Sequence, residues 1–375
     1  MKKLYRLDAW HKLLALRFKS LKWRHGVLIV LLILVTLTKM IPLWGFIYTT
    51  RIYPVIGTLL SPISGIFPFA VGDIFIALSI AWVILYPIYE MGWRKKMVLG
   101  RVAEYLLWVY AWFYIAWGLN YSQPNIYYRI GMKPVEVSKA KFKKFAYQYA
   151  DSLNALSIAS LSNARKSISP DSIVDDGMKN RVRDAVLKEY NKIGYREGIN
   201  RPFNQHPHAK TMVFTPLSSM AGVTGSMGPF FCEFTLNGDI LAHDYPATYA
   251  HEFAHFLGVA NEGEANFYSY IVCTASADKQ VRFSGYYHIF FHVLNNVYDI
   301  LGEKEGERFL KHIRPEIIQR ARNDRHYWLS KQCKALDAAQ DVIFELYLRG
   351  NHVAEGRKSY SGVIGLILAW EEKKK

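Results

Sequence analysis

The hydrophobic pattern divides the chain near residue 120. Three long apolar segments precede that point, at about residues 26–48, 66–89 and 102–119. Apolar segments of roughly 17–25 residues suit a bilayer core about 30 Å thick. The first segment is too long for the apolar part of a signal peptide, and no A-x-A cleavage site follows it. The sequence therefore predicts three transmembrane helices within residues 25–120.

Shorter elements are predicted after residue 120. Apolar residues recur at helical spacing in several segments, which predicts helices over residues 139–161, 176–194, 267–275, 286–300 and 305–349. Residues 231–236 alternate in polarity before an Asn237-Gly238 turn, which predicts a short strand. We therefore expect residues 121–375 to form a mostly helical domain with a small β-sheet.

Positive charge is concentrated beside the predicted membrane helices. Residues 1–24 contain eight Lys and Arg, and residues 94–101 contain four more, whereas the first connection contains only Arg51. The positive-inside rule puts the basic arm (residues 1–24) and the second connection in the cytoplasm, and residues 121–375 outside. Of the net charge of +16, about +10 precedes residue 121. The remaining excess is too small to indicate nucleic-acid binding, so the expected partner of the basic segments is the lipid bilayer.

Two carboxylates, Asp73 and Glu104, fall inside the predicted spans. A charge in the bilayer is costly and usually faces protein or marks a function. Asp73 follows Gly72 and is expected near the outer interface, where it caps a helix. The role of Glu104 stays open.

The candidate chemistry lies in residues 249–258, which contain H-E-x-x-H at His251, Glu252 and His255. Residues four apart share a helix face, so both imidazoles can bind one zinc ion at about 2.0–2.1 Å. Glu252 is rotated by about 100° from His251 and is placed to act as general base on a metal-bound water. A helix whose histidines only pack or face water is the alternative. The apolar flanks and the C-capping Gly258 favour the metal site.

The third ligand is expected just after Gly258, because hydrolytic zinc sites usually take three protein ligands and one water. Glu262 and Glu264 are two apart, about 200° around a helix, so only one can face the metal. Asn266 follows Glu262 by four residues, where its amide can support a ligating carboxylate. Glu262 is therefore the first choice and Glu264 the alternative.

Other polar side chains are weaker candidates. His206 and His208 lack a third ligand nearby and are expected to be exposed loop residues. Tyr286, His288 and His292 can reach a site after the metal helix, and Tyr286 is the first choice for stabilising an oxyanion. A packing role is the alternative for each of them.

The metal motif, followed by Asn261-Glu262-Gly263-x-Ala265-Asn266, resembles the gluzincin (zincin-type) metallopeptidases. In these enzymes a helical Glu after H-E-x-x-H is the third ligand, and an acidic or amide residue often follows it by four. From about residue 65 onwards the chain resembles DUF3810, a family of bacterial membrane proteins whose substrate is not known. The matching pieces are Val71-Gly72-Asp73, Trp117-Gly118-Leu119-Asn120-Tyr121, the metal region to Phe267, Arg282-Phe283-Ser284-Gly285-Tyr286 and Ser359-Tyr360.

These resemblances imply a zinc-dependent metallopeptidase anchored in the bacterial cytoplasmic membrane that hydrolyses a peptide or protein substrate. A membrane receptor or scaffold that uses a zincin-like domain only for binding is the alternative. Glu252 favours the enzyme, because a purely structural zinc site is usually closed by a fourth Cys or His. The strand before the metal helix lies beside the substrate in gluzincin-like folds, so residues 231–236 either pair with a peptide or are an ordinary strand. Substrate specificity and oligomeric state stay open.

Overall fold

The computed structural model describes residues 22–90, 95–135, 138–164, 174–207, 209–333 and 362–374. The basic arm up to residue 21, His208, residues 334–349 and Ser359-Tyr360 lie outside these ranges. The described α-helices are α1 (Trp23–Met40), α2 (Pro42–Ile47), α3 (Tyr53–Gly65), α4 (Val71–Glu90), α5 (Lys95–Ala116), α6 (Ile126–Ile130), α7 (Lys139–Ala164), α8 (Asp176–Tyr190), α9 (Thr215–Met220), α10 (Tyr245–Phe256), α11 (Glu262–Ala275), α12 (Lys279–His288), α13 (Phe290–Leu301), α14 (Glu303–His312), α15 (Pro315–Lys331) and α16 (Val363–Lys373). The described strands are β1 (Lys210–Thr211), β2 (Gly225–Gly228) and β3 (Glu233–Leu236).

The helix predictions after residue 120 are mostly confirmed. α7 and α8 begin where predicted, and α11 includes the predicted helix over 267–275. The helix predicted over 286–300 is instead two helices, because α12 ends at His288 and α13 starts at Phe290. The region from 305, which is predicted to be helical, begins with α14 and α15, and these helices separate before Pro315. Proline lacks the N–H that would continue α14 and is favoured at the first turn of α15.

Two of the described helices, α1 and α4, are long and apolar enough to cross a membrane. Few of their side chains are buried, unlike those in the core helix of a soluble protein. Most of the exposed large apolar side chains of the described chain lie between residues 23 and 112. An apolar surface of this extent indicates contact with lipid or another apolar partner.

The prediction of three apolar spans is wrong in its third member, since the described residues contain two. The segment 102–119 falls largely in α5, which carries Arg101, Glu104 and many partly polar Tyr and Trp rings. Glu104 of α5 forms an ion pair with Arg24 of α1 at 2.8 Å, so the negative charge of Glu104 is compensated by a neighbouring helix. The first predicted span also ends early, because Pro42 stops α1 at Met40 and starts α2.

α1, α4 and α5 form a helix cluster, and side-chain contacts show the relative directions of the three helices. α5 runs parallel to α1 and antiparallel to α4. Side-chain pairs along the helices establish these directions: Arg24 with Glu104, Lys39 with Tyr114, Tyr86 with Arg101, and Ser79 with Tyr105. α1 and α5 therefore end, and α4 begins, at the same end of the cluster, where the rest of the chain packs.

The metal-motif helix α10 is joined to this end of the cluster at its C-terminus. Helix geometry leaves terminal carbonyl groups in need of partners. The carbonyl oxygens of residues 255–258 accept side-chain bonds from Trp117 (3.0 Å), Tyr53 (2.7 Å), Asn200 (2.8 Å) and Gln123 (2.6 Å), respectively. Gly258 makes the predicted turn with a φ of 95°. Residues on both sides of the predicted boundary at 120 thus share one packed core.

The small sheet has the order β1-β3-β2, with β3 parallel to β1 and antiparallel to β2. The predicted strand at 231–236 starts at Glu233, because Phe231 and Cys232 belong to the preceding turn and Cys232 has a φ of 48°. β3 is buried and paired on both sides. Among the described strands, β2 therefore lies at the edge beside α10.

Candidate metal centre

The two histidines of α10 are oriented by their Nδ1 atoms. His251 Nδ1 lies 2.8 Å from the Asn266 side-chain oxygen, and His255 Nδ1 lies 2.6 Å from the Val259 carbonyl oxygen. Both partners are acceptors, so each Nδ1 must donate its proton. In the neutral form of each imidazole, that tautomer leaves a lone pair on Nε2, as a metal ligand requires.

Glu262 completes a three-ligand cluster with the two Nε2 atoms. The Nε2 atoms of His251 and His255 are 3.1 Å apart, and Glu262 Oε2 lies 3.1 Å and 3.4 Å from them, respectively. Asn261 caps α11 by accepting the N–H of Glu264, and this cap places Glu262 in the first turn. Three side-chain atoms of this kind, at these distances from one another, could hold a metal ion.

The charge of Glu262 and the charge of the neighbouring imidazoles stabilise each other. Burial raises the pKa of Glu262, but His255 and His251 outweigh burial and hold that pKa well below its usual range. Burial alone would lower the pKa of His255, whereas Glu262 reverses the effect and raises that pKa to about 9. The carboxylate is therefore ionised and stabilises positive charge on the neighbouring imidazole, and a metal ion that binds here displaces a proton.

Glu252 lies next to this cluster but is not one of its three members. Its side chain is buried, and burial raises its pKa although His251 and His255 oppose the shift. The carboxylate packs against Gly225 of β2, where an added Cβ would overlap its atoms. A carboxylate with a raised pKa beside a metal site is suited to take and return a proton.

Glu264 is directed away from the histidines into a buried ion pair. Its Oε2 is 2.6 Å from Arg129 Nη2, and its Oε1 accepts the N–H of Ile126 at 2.9 Å. Both charged side chains are almost fully buried. Glu264 therefore holds α6 against α11, and the structure brings Glu262, not Glu264, to the histidines.

Substituting Glu264 separates these two roles. Glu264→Gln should keep the metal but lose roughly 3 kcal/mol of stability, because Arg129 is left as an uncompensated buried charge. Thermal unfolding and zinc content measured on the same preparation test this, with the exposed Glu316→Gln as control. Loss of zinc from a fully stable Glu264→Gln protein would reverse the order of the two glutamates.

Asn266 supports an imidazole rather than the Glu262 carboxylate, contrary to the prediction from its spacing. Its side-chain oxygen accepts from His251 Nδ1 and lies 2.9 Å from His288 Nε2. The pKa of His288 is lowered to about 3, first by burial and then by His251 and His292. His288 is thus a neutral donor that helps to position Asn266.

The family described as "Protein of unknown function (DUF3810)" matches residues 48–368. The chain belongs to the DUF3810 family. No curated protein and no solved structure matches the chain. The matched range contains α4, α5, the sheet and the candidate site of this DUF3810 chain, whereas α1 precedes it.

The described contacts of Tyr286 and His206 do not include the three candidate ligands, whereas His292 is buried near enough to His251 for that imidazole, after burial, to lower the pKa of His292. The Tyr286 ring packs 5.7 Å from Tyr149 and 5.6 Å from Tyr270, measured between ring centroids. The described contacts of Tyr286 are with these tyrosines and not with the three ligands. His206 is an exposed loop residue, as predicted.

A second group, His243, Asp244 and Asp324, also gathers metal-ligating atoms, and the sequence did not indicate it. His243 Nε2 lies 2.8 Å from Asp324 Oδ2, and the Tyr287 hydroxyl donates to the same oxygen. Asp324 follows His243 by 81 positions, so no local spacing reveals the pair. Hydrogen bonds within the group already occupy this carboxylate oxygen.

Proposed function

We propose that this DUF3810 chain is a membrane-anchored, zinc-dependent metallopeptidase. The proposal depends on one observation: the three ligand atoms of His251, His255 and Glu262 are 3.1–3.4 Å apart. Nitrogen and oxygen ligands at 2.0–2.1 Å from a tetrahedral zinc are about 3.3 Å apart. The residues therefore fit zinc, and three protein ligands leave one position for water.

The residues around the site support hydrolysis. Zinc, when bound, supplies polarisation of a scissile carbonyl and a more acidic water. Glu252 would take the proton from the attacking water and deliver it to the leaving amine. Hydrolysis of a mixed peptide library by the wild-type chain, and its loss in Glu252→Gln, tests this function.

The outer edge of β2, which no described strand pairs with, offers a way to hold an extended substrate. Asn237 N donates to the carbonyl of Thr224 at 2.9 Å, so residues 224 and 226 face β3. Alternation along the strand then turns the N–H and C=O of Gly225 and Met227 outward. A peptide can pair with these groups by adding a strand. We therefore propose β2 for the substrate-binding role, which the gluzincin resemblance implied as one of two alternatives for residues 231–236.

A membrane receptor or scaffold with a zincin-like domain is the second candidate. The exposed apolar helix cluster and the buried cation site suit both functions. Glu252 favours the peptidase. Its buried carboxylate lies beside His251, His255 and Glu262 without being one of the three candidate ligands, and a protein that only binds has no need of it.

We propose that the N-terminus is cytoplasmic and that the metal centre lies outside the membrane. The direction of the helices supports this topology. α1 runs towards the domain and α4 runs away from it, and α5, although less apolar than these two, runs parallel to α1 and returns the chain to the domain end of the cluster. The N-terminal end of α1 and the metal centre are thereby placed at opposite ends of the cluster. The basic residues near the start of α1 and α5 mark the cytoplasmic end.

Two exposed tyrosines at opposite ends test the topology. Tyr89, at the end of α4, and Tyr128, in α6, are 83% and 79% exposed. In a Cys333→Ser background, an impermeant maleimide added to intact cells should label Tyr128→Cys and spare Tyr89→Cys. Breaking the membrane should make both reactive. The reverse pattern, or equal labelling in intact cells, contradicts the topology.

A further inference from the structure

β2 leads from the proposed catalytic carboxylate to the domain end of the helix cluster. Gly225 packs against Glu252, and Gly228 packs against Glu233. Glu233 Oε1 accepts the N–H of Gly72, in the first turn of α4, at 2.6 Å. At about 3.4 Å per residue, three residues of strand separate Glu252 from this point by about 10 Å.

The turn between β2 and β3 lies directly on α4 and α5. The Phe230 ring is 4.9 Å from Phe75 of α4 and 6.1 Å from Phe113 of α5, measured between centroids. Trp112 of α5 donates its indole N–H to the Phe230 carbonyl at 3.0 Å. The far end of β2 is therefore fixed where the apolar helix α4 begins.

An exposed apolar rim surrounds the same end. Its members are the exposed residues Ile66, Phe67, Phe69, Val213, Phe214 and Leu217. Asp73, in the first turn of α4, accepts the Val213 N–H at 2.9 Å. This bond connects the rim residues 66–69, just before α4, to the rim residues 213–217. Because α4 is apolar from this turn onwards, the rim is expected to lie at the membrane interface.

We propose that the substrate is a polypeptide anchored in the same bilayer and cut within the few residues next to its anchor. This inference rests on the proposed peptidase function. A chain that leaves the bilayer beside the rim needs only about three or four extended residues to pass along β2 and reach Glu252. Pairing through the backbone of Gly225 and Met227 selects an extended conformation more than a sequence. The distance from the membrane, rather than a side-chain motif, then selects the cleaved bond.

The position of the cut tests the proposal. The full chain is reconstituted with zinc in phosphatidylcholine vesicles and given palmitoylated peptide libraries whose mixed segment is about 25 residues long. Mass spectrometry should place the cuts within about six residues of the anchor. Cuts spread evenly along the segment would overturn the proposal.

A strand variant tests the pairing itself. Met227→Pro removes an outward N–H, so the pairing of β2 with β3 should survive and the protein should stay folded. Cleavage near the anchor should fall at least tenfold, with zinc content unchanged. Undiminished cleavage would show that the substrate does not use this edge.

A measurement without catalysis locates the rim. An environment-sensitive fluorophore is attached to Leu217→Cys or Phe291→Cys, two sites with 54% and 50% exposure, in a Cys333→Ser background. Brominated lipids should quench the label at residue 217 and leave the label at residue 291 unchanged. Equal quenching, or none at 217, would remove the rim from the interface and overturn the proposal.

The two proposals fail in different ways. If the wild-type chain cuts neither anchored nor free libraries, the peptidase function fails and this inference falls with it. If cleavage depends on Glu252 but occurs far from the anchor, the peptidase stands and the inference alone is wrong.

Discussion

Glu252→Gln is expected to leave the protein folded and zinc-loaded while hydrolysis falls by roughly 10²–10⁴-fold. The amide is nearly isosteric with the carboxylate, and no metal ligand is lost. It cannot accept the proton of the attacking water. Because the same carboxylate serves both proton transfers, the loss should lie towards the upper end of this range.

The assay compares turnover per zinc-loaded molecule on the mixed peptide library. Glu189→Gln is the matched control, because Glu189 is also a buried helical glutamate, paired with Lys192 far from the ligands in sequence. That variant should keep its turnover per folded molecule. Unchanged turnover in zinc-loaded Glu252→Gln would remove the peptidase mechanism and leave the receptor or scaffold in its place.

His255→Ala is expected to abolish zinc binding, because the remaining His251 and Glu262 cannot complete the three-ligand set. Glu262→Gln should also lose most of the metal, since the charge that attracts the cation is removed. Zinc content and chelator competition on the purified full chain measure both effects. The full chain is required because Tyr53 and Trp117, which precede residue 121, donate hydrogen bonds to carbonyl groups at the C-terminus of α10.

His243→Ala is the matched control for the metal experiment. His243 belongs to the second His/Asp group, so the variant should retain the zinc held by His251, His255 and Glu262. If His243→Ala loses the metal while His255→Ala keeps it, the zinc is bound by the group of His243, Asp244 and Asp324, and the proposed site is wrong.

The position of the histidine pair on one helix face could be predicted from the sequence because its geometry is local. Two histidines four apart share a face of any α-helix, and Gly258 supplies the turn that follows. The choice between Glu262 and Glu264 is not local in the same way. Arg129, 135 positions before Glu264, is the buried partner that occupies that carboxylate. The spacing put Glu262 first, and the structure brings Glu262 to the histidines, but spacing alone could not reveal the ion pair of Glu264.

The sheet and the third helix of the cluster were harder to predict. β2 has the sequence Gly-Ser-Met-Gly, which lacks the β-branched and aromatic alternation that indicates a strand. It is a strand because β3 pairs with it. The length of the apolar segment 102–119 predicts a span, but Arg101 and Glu104 reduce the apolar character of α5. The pairing of Glu104 with Arg24 depends on tertiary packing over 80 positions.

The most direct test of the central claim is the metal content and ligation of the purified full chain. Elemental analysis should find about one tightly held zinc per chain, and X-ray absorption at the zinc edge should show two imidazoles, further oxygen ligands and no sulfur. The signal should disappear in His255→Ala. A wild-type chain that holds no zinc after metal loading, or holds it with the same spectrum in His255→Ala, would contradict the account.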